Sequence, residues 1–429
     1  MGRALGLAPA VALVAGCGTD VRGAPPALDA APHADAAAGP ITVRVLVTDT
    51  TVATPEAGVR VLFVAPAGAA VLETTDADGV ARAAMPDGAT VVVARGTGLL
   101  RQITAFFAVP PGASLIDGPQ PVAVGASLGL RTATVPPTDA PQLALRASCG
   151  QQGFGQGTEV VWNAGDCPRA RDATVVVAAE GQPTPRYAIA TGVDLVRDAP
   201  VVMGRWQDPR ATDVILTNLP PDITDLAAQR VQLDRGDVID GRSASVAVEG
   251  ASTIVPLAVA PMGDRAEVTT TLFKAGRLVL AGHQLVAGDT PRVVVEVGGR
   301  PPAPLTAIGY DPETGTLAWG HAGAGASAHA YAAVIGLQSL TAVYQVRVVA
   351  PGDVGAVRLP PLPPELVDVA PPTAPTSIQV TVAAVRLDAV LPYDALATRL
   401  DDLSWRTWLG SPFLHGTDLD GWIALASQP

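Results

Sequence analysis

At 429 residues the chain is too long for one ordinary hydrophobic core, and at roughly 150 residues per core it should form two to four domains. Its net charge of −12 carries no basic block, and Lys274 is the sole lysine; this argues against nucleic acid as a partner, because neutralising phosphates needs clustered Lys and Arg. Aromatic residues are 4%, while 40 Pro and 44 Gly make up close to a fifth of the chain, a composition that breaks helices and supplies turns for many short strands.

The first 17 residues carry Arg3, an apolar stretch from Ala4 to Leu13, and Val14-Ala15-Gly16-Cys17. This resembles the signal of bacterial lipoproteins. The resemblance implies cleavage before Cys17, a lipid on its thiol, and attachment to the cell envelope. Gly18 stands where an Asp would signal inner-membrane retention, so the outer membrane is the expected address. The segment is too short to remain as a permanent spanning helix. Residues 18–40 are rich in Ala and Pro with no amphipathic period, which predicts a disordered tether. As a flexible chain it would span about 25–30 Å.

From Ile41 the pattern changes to strands. Val43, Val45 and Val47 share one face of Ile41–Val47, and further apolar runs follow at Gly58–Val64 and Ala89–Ala94, separated by turn clusters. Thr75-Asp76-Ala77-Asp78-Gly79 and then Met85-Pro86-Asp87-Gly88 bracket a hairpin strand. Residues 41–110 are similar in this order to the carboxypeptidase regulatory-like domain, a transthyretin-like β-sandwich. Thr75, Asp76, Gly79, Pro86 and Gly88 match its turn pattern, although Thr90 stands where an aromatic residue is usual. The resemblance implies a sandwich with a structural or binding role.

Pro136-Pro137 and Arg300-Pro301-Pro302-Ala303-Pro304 read as joints, giving domains at 41–135, 140–300 and 303–429. The second holds strands at Glu159–Trp162, Ala173–Ala178, Asp213–Thr217, Ser245–Val248, Thr253–Val259, Glu267–Phe273 and Arg292–Val297. Asp222–Leu233 is its helix candidate. The third holds strands at Ala342–Val349 and Ser377–Val385, with a short helix at Tyr393–Leu403 on the spacing of Leu396, Leu400 and Leu403. The expected fold class is all-β, with tandem β-sandwich domains. Cys149 and Cys167 form an even pair, and an oxidising envelope favours a disulfide worth roughly 3 kcal/mol. Two buried thiols are the alternative, and a zinc site is disfavoured because no His lies near.

No motif carries catalysis or a cofactor. Gly125-Ala126-Ser127-Leu128-Gly129 matches a nucleophile elbow, but no helix can follow it before Pro136. Asp76-Ala77-Asp78-Gly79 and Asp418-Leu419-Asp420-Gly421 open like calcium loops yet lack the closing Glu. The five His are scattered, and Arg235-Gly236-Asp237 reads as a turn. Trp405, Trp408, Phe413 and Trp422 gather near the C-terminus; they could stack on a glycan or a partner protein, or plug the end of a sandwich. The leading expectation is a non-catalytic envelope lipoprotein with a structural, adhesive or assembly role. A glycan- or protein-binding surface module is the alternative, and an envelope hydrolase the weakest reading.

Overall fold

The structure, a computed structural model, describes residues 38–49, 52–97, 99–118, 126–148, 152–167, 169–182, 184–322, 325–389, 391, 395–398 and 420–428. Strands dominate them, as the alternation and turn density predict.

The first segment opens with Gly39–Asp49, which pairs with Val52–Pro55, Val80–Met85 and, in parallel, Ser114–Asp117. This small sheet faces Arg60–Val64, Ala89–Thr97 and Leu100–Val109, and the two layers share Ile41, Val43, Val61, Phe63, Val91 and Phe106. The turn residues explain the local path. Asp76 Oδ1 accepts the amides of Asp78 and Val80, both at 2.9 Å. The Thr75 hydroxyl donates to Glu56 O at 2.7 Å and accepts from the Val59 amide at 2.9 Å. Gly79 sits at φ +70°, and a Cβ there would lie 2.6 Å from Val45 O, so both conformation and space demand glycine.

The centre of the molecule is a twelve-stranded sheet. From one edge, Asp237–Ala247, Asp225–Asp234, Arg265–Lys274 and Arg277–Ala287 come first. Gly421–Gln428, Ser377–Leu387, Ala330–Gln338 and Val343–Pro351 follow. Leu100–Val109, Ala89–Thr97, Arg60–Val64 and Ala70–Thr74 complete it. Both faces are buried over much of its area. Leu62, Val92, Ile103 and Val346 point into one core, while Phe63, Val93, Phe106 and Val349 point into the other. Strands buried on two faces read as unbroken apolar runs, as in Ala330–Gln338.

Three smaller layers cover the sheet. Ser252–Val259, Arg210–Thr217 and Arg292–Glu296 form one, and Leu305–Asp311, Thr316–His321 and Ala356–Arg358 form another. Both contribute to the same large core, with Val214, Leu257, Leu317 and Trp319. On the opposite face lie the sheet of the first segment and a helical turn at 395–398, whose Leu396 and Ala397 are buried.

Residues 126–207 stand apart in topology. Seven strands from Arg186–Val193 to Val201–Val202 curl around Leu143, Leu145, Val160, Trp162, Val177 and Met203. The curl closes back on its first strand, where Tyr187 and Gln207 exchange backbone hydrogen bonds at 2.9 and 2.7 Å.

One expectation is corrected. Asp222–Leu233 is not a helix, because Asp225–Asp234 is a strand paired on both edges, with Asp237–Ala247 and Arg265–Lys274. Leu226, Ala228, Arg230 and Gln232 alternate to one buried face, and the two neighbours satisfy every backbone group a helix would have paired internally. The sandwich layers are joined through a common sheet. The first segment, residues 210–300 and the C-terminal segment share one sheet, through Leu100–Val109 beside Val343–Pro351 and Arg277–Ala287 beside Gly421–Gln428. The helix proposed at Tyr393–Leu403 is present at 395–398; Leu400 and Leu403 lie outside the described residues.

Candidate binding site

Cys17, Cys149, Trp405, Trp408 and Phe413 lie outside the described residues. Cys167 is buried at 2% exposure inside the curled sheet, among Ala164, Ala170 and Trp162. Trp422 is placed in the core rather than on a binding face. It is 2% exposed in Gly421–Gln428, and a Cβ at Gly282 on the adjacent strand would lie 2.9 Å from its ring. Gly282 is thus the space into which the indole fits. Gly125 lies outside the described residues, and Ser127-Leu128-Gly129 lead into the strand Leu130–Thr134. Arg235-Gly236 makes the two-residue turn of a hairpin, both at positive φ.

Three of the buried polar groups among the described residues join separate segments. Asp117, at the end of its strand, is fully buried and accepts from Arg347, also fully buried, at 2.9 Å. Arg95 holds the other carboxylate oxygen and also donates to Asp117 O at 2.8 Å. Beside this clamp Gln102 donates to Gln345 Oε1 at 2.9 Å, across the parallel strand pair. A carboxylate between two guanidiniums makes charge-assisted bonds in a dry setting, and here it ties strands more than 200 residues apart.

The second group surrounds Gly288 O, which accepts from Arg210, Arg230 and Gln232 at 2.7, 2.8 and 3.3 Å. Burial, with Arg210 close by, lowers the Arg230 pKa to about 10. The third is Tyr187, whose hydroxyl donates to Ala258 O at 3.1 Å and accepts from Arg242 Nε at 2.8 Å. Burial raises its pKa, and nearby Asp240 adds to the effect. Arg242 also pairs with Glu180 at 2.7 Å. This network joins the curled sheet to the edge strand Asp237–Ala247, beside a cleft of about 220 Å³ rimmed by the exposed Phe154 and Arg146.

An aromatic group lies between the layer of Thr316–His321 and the central-sheet strand Ala330–Gln338. Trp319 and Tyr331 have ring centroids 4.7 Å apart, and His321 Nε2 is 2.7 Å from the Tyr331 hydroxyl. His321 Nδ1 faces Ala303 O at 3.3 Å, which sets Nδ1 as the protonated nitrogen and Nε2 as the acceptor. Burial raises the Tyr331 pKa, so the phenol stays a donor. The arrangement fixes the orientation of all three side chains. Among the described residues no three His, Cys, Asp or Glu side chains are grouped to hold a metal ion.

An opening of about 800 Å³ lies where Arg277–Ala287 and Gly421–Gln428 part. Ile223, Leu280 and Leu305 form its apolar floor, with Lys274, Arg277 and Asp222 at its mouth. Sequence reasoning missed this site because neither bordering strand carries a motif; only their divergence in space creates it.

No family model matches the chain, and no curated protein matches it. Among solved structures, the Bacillus anthracis TIE protein aligns over 60% of this chain and 49% of its own length, at 11% identity and a TM-score of 0.16. The alignment thus spans about half of that protein's length, and at this TM-score it carries no argument about function.

Proposed function

We propose that the chain is a non-catalytic lipoprotein of the cell envelope, anchored through Cys17 and held off the membrane by residues 18–37, whose body is a rigid structural or assembly element. Supporting this reading is the twelve-stranded sheet, which draws strands from the first, third and last segments into one layer buried on two faces. Such pairing makes distant segments depend on one another, as a load-bearing body requires. The turn residues Thr75, Asp76, Gly79, Pro86 and Gly88 further favour a carboxypeptidase regulatory-like sandwich at its start.

The test has two arms. Palmitate labelling and fractionation in a two-membrane bacterial host should place the wild-type protein in membranes. C17S should release it unlabelled. Calorimetry of the full chain should show one dominant transition for the body. An unmodified N-terminus would remove the anchor, and three separate transitions of comparable size would remove the rigid body.

A further inference from the structure

We infer that the seam between Arg277–Ala287 and Gly421–Gln428 is an acceptor slot for an extended, acidic peptide segment of a partner protein. The two strands pair at four positions, from His283 opposite Gly421 to Leu280 opposite Ala424. Beyond that point each keeps only its outer neighbour. Arg277 still pairs with Lys274, and Gln428 still pairs with Val380. A register shift at Leu272/Phe273 accompanies the parting, since a bulge bends its strand and raises local twist. The inner edges of 277–279 and 425–428 therefore have no strand partner among the described residues, although they lie in the interior of a sheet.

The opening reaches from one face of the sheet, where Gln379 and Thr381 line it, into the plane of the sheet. A groove on one face would be lined by every second residue of a strand, because successive side chains point to opposite faces. Here four consecutive residues line it from each strand, 277–280 and 425–428. Two exposed rows of backbone N–H and C=O face each other across it, and such groups are obligatory hydrogen-bonding partners. An extended chain is the ligand that satisfies both rows at once, as in strand addition to a sheet edge. Four residues of strand cover about 13 Å, which sets the length of the inserted core.

Charge selects the occupant. Lys274 Nζ is 2.7 Å from Asp222 Oδ2, so that pair is engaged. Arg277 is exposed and makes no ion pair among the described residues, and Asp222 is the only acid lining the opening. The mouth thus keeps a net positive charge, fit for a carboxylate next to an apolar side chain that reaches Ile223 and Leu305.

The inference stands apart from the lipid anchor, and C17S should bind as wild type does. The test uses the full chain and a fluorescent octapeptide of alternating threonine and valine that ends in two aspartates. Anisotropy should show saturable binding, and hydrogen exchange should show new protection confined to 277–280 and 425–428. Methylating alternate backbone nitrogens of the peptide should weaken binding at least tenfold, as should exchanging its aspartates for lysines. R277E should match that loss with an unchanged melting temperature. Absent binding at millimolar peptide, equal binding of the methylated peptide, or protection elsewhere would overturn the slot. Self-association abolished by R277E would give the slot to a second copy of this chain and overturn the partner reading.

Discussion

Replacing Asp117 by Asn tests whether the sheet is one cooperative body. The carboxylate and the Arg347 guanidinium are both fully buried and 2.9 Å apart, with Arg95 on the second oxygen. Each contact is worth about 4 kcal/mol at the effective dielectric of protein sites, largely offset by the cost of drying the charges. Removing the carboxylate charge from this buried pair costs about 3–5 kcal/mol, while Arg95 keeps Glu56 at 3.7 Å. How this appears in a melt depends on the size of the unit that unfolds. Taking about 2.1 cal/mol/K per residue, roughly 390 residues from Ala37 to Pro429 give about 0.8 kcal/mol/K and a fall in Tm of about 4–6 °C. A lone first sandwich of about 80 residues would instead fall by about 18–30 °C, in a separate transition. Calorimetry and urea titration of D117N against wild type measure both quantities. A destabilisation below about 1 kcal/mol would refute the buried clamp, and a large shift in a separate early transition would refute the shared body.

Two further outcomes are expected. G282A should destabilise by about 1–3 kcal/mol through overpacking, because its Cβ would meet the Trp422 ring at 2.9 Å and Thr270 Oγ1 at 3.0 Å; an unchanged melt, or unchanged tryptophan emission, would deny that fit. At alkaline pH, Tyr310 keeps its proton to about 12 because of burial and Asp311, whereas the unfolded chain loses it near 10. Its contribution is thus complete below pH 10 and is lost as pH rises towards 12. Arg230, lowered to about 10, acts in the opposite direction over the same window. The comparison of Y310F with wild type isolates the tyrosine: the variant should lose stability less steeply between pH 10 and 12, and equal slopes would contradict the assignment.

Local chemistry made much of the fold legible. Alternating Val43 and Val45 announced a buried face, although Val47 at the same spacing is exposed, and Asp76 and Gly79 announced a turn whose Asp76 side-chain hydrogen bonds and positive φ are local. Strands buried on both faces hid better. Ala330–Gln338 has no alternation to detect, and Asp225–Asp234 has apolar spacing that suits either helix or strand until two neighbours claim its edges. The Trp422 indole shows the same limit, since an aromatic cluster reads equally as platform or plug, and only the space above Gly282 decides.

The amino-acid sequence alone determined the all-β class and the turns, because these depend on residues a few positions apart. Tertiary structure decided which strands became neighbours. Gln102 meets Gln345, Arg347 meets Asp117, and Arg277–Ala287 leaves Gly421–Gln428 at Leu280. The strand pairings that bring these residues together rest on backbone hydrogen bonds that any residue but proline can make, so no local pattern encodes the partner strand, and the cleft they leave open has no signature in the chain.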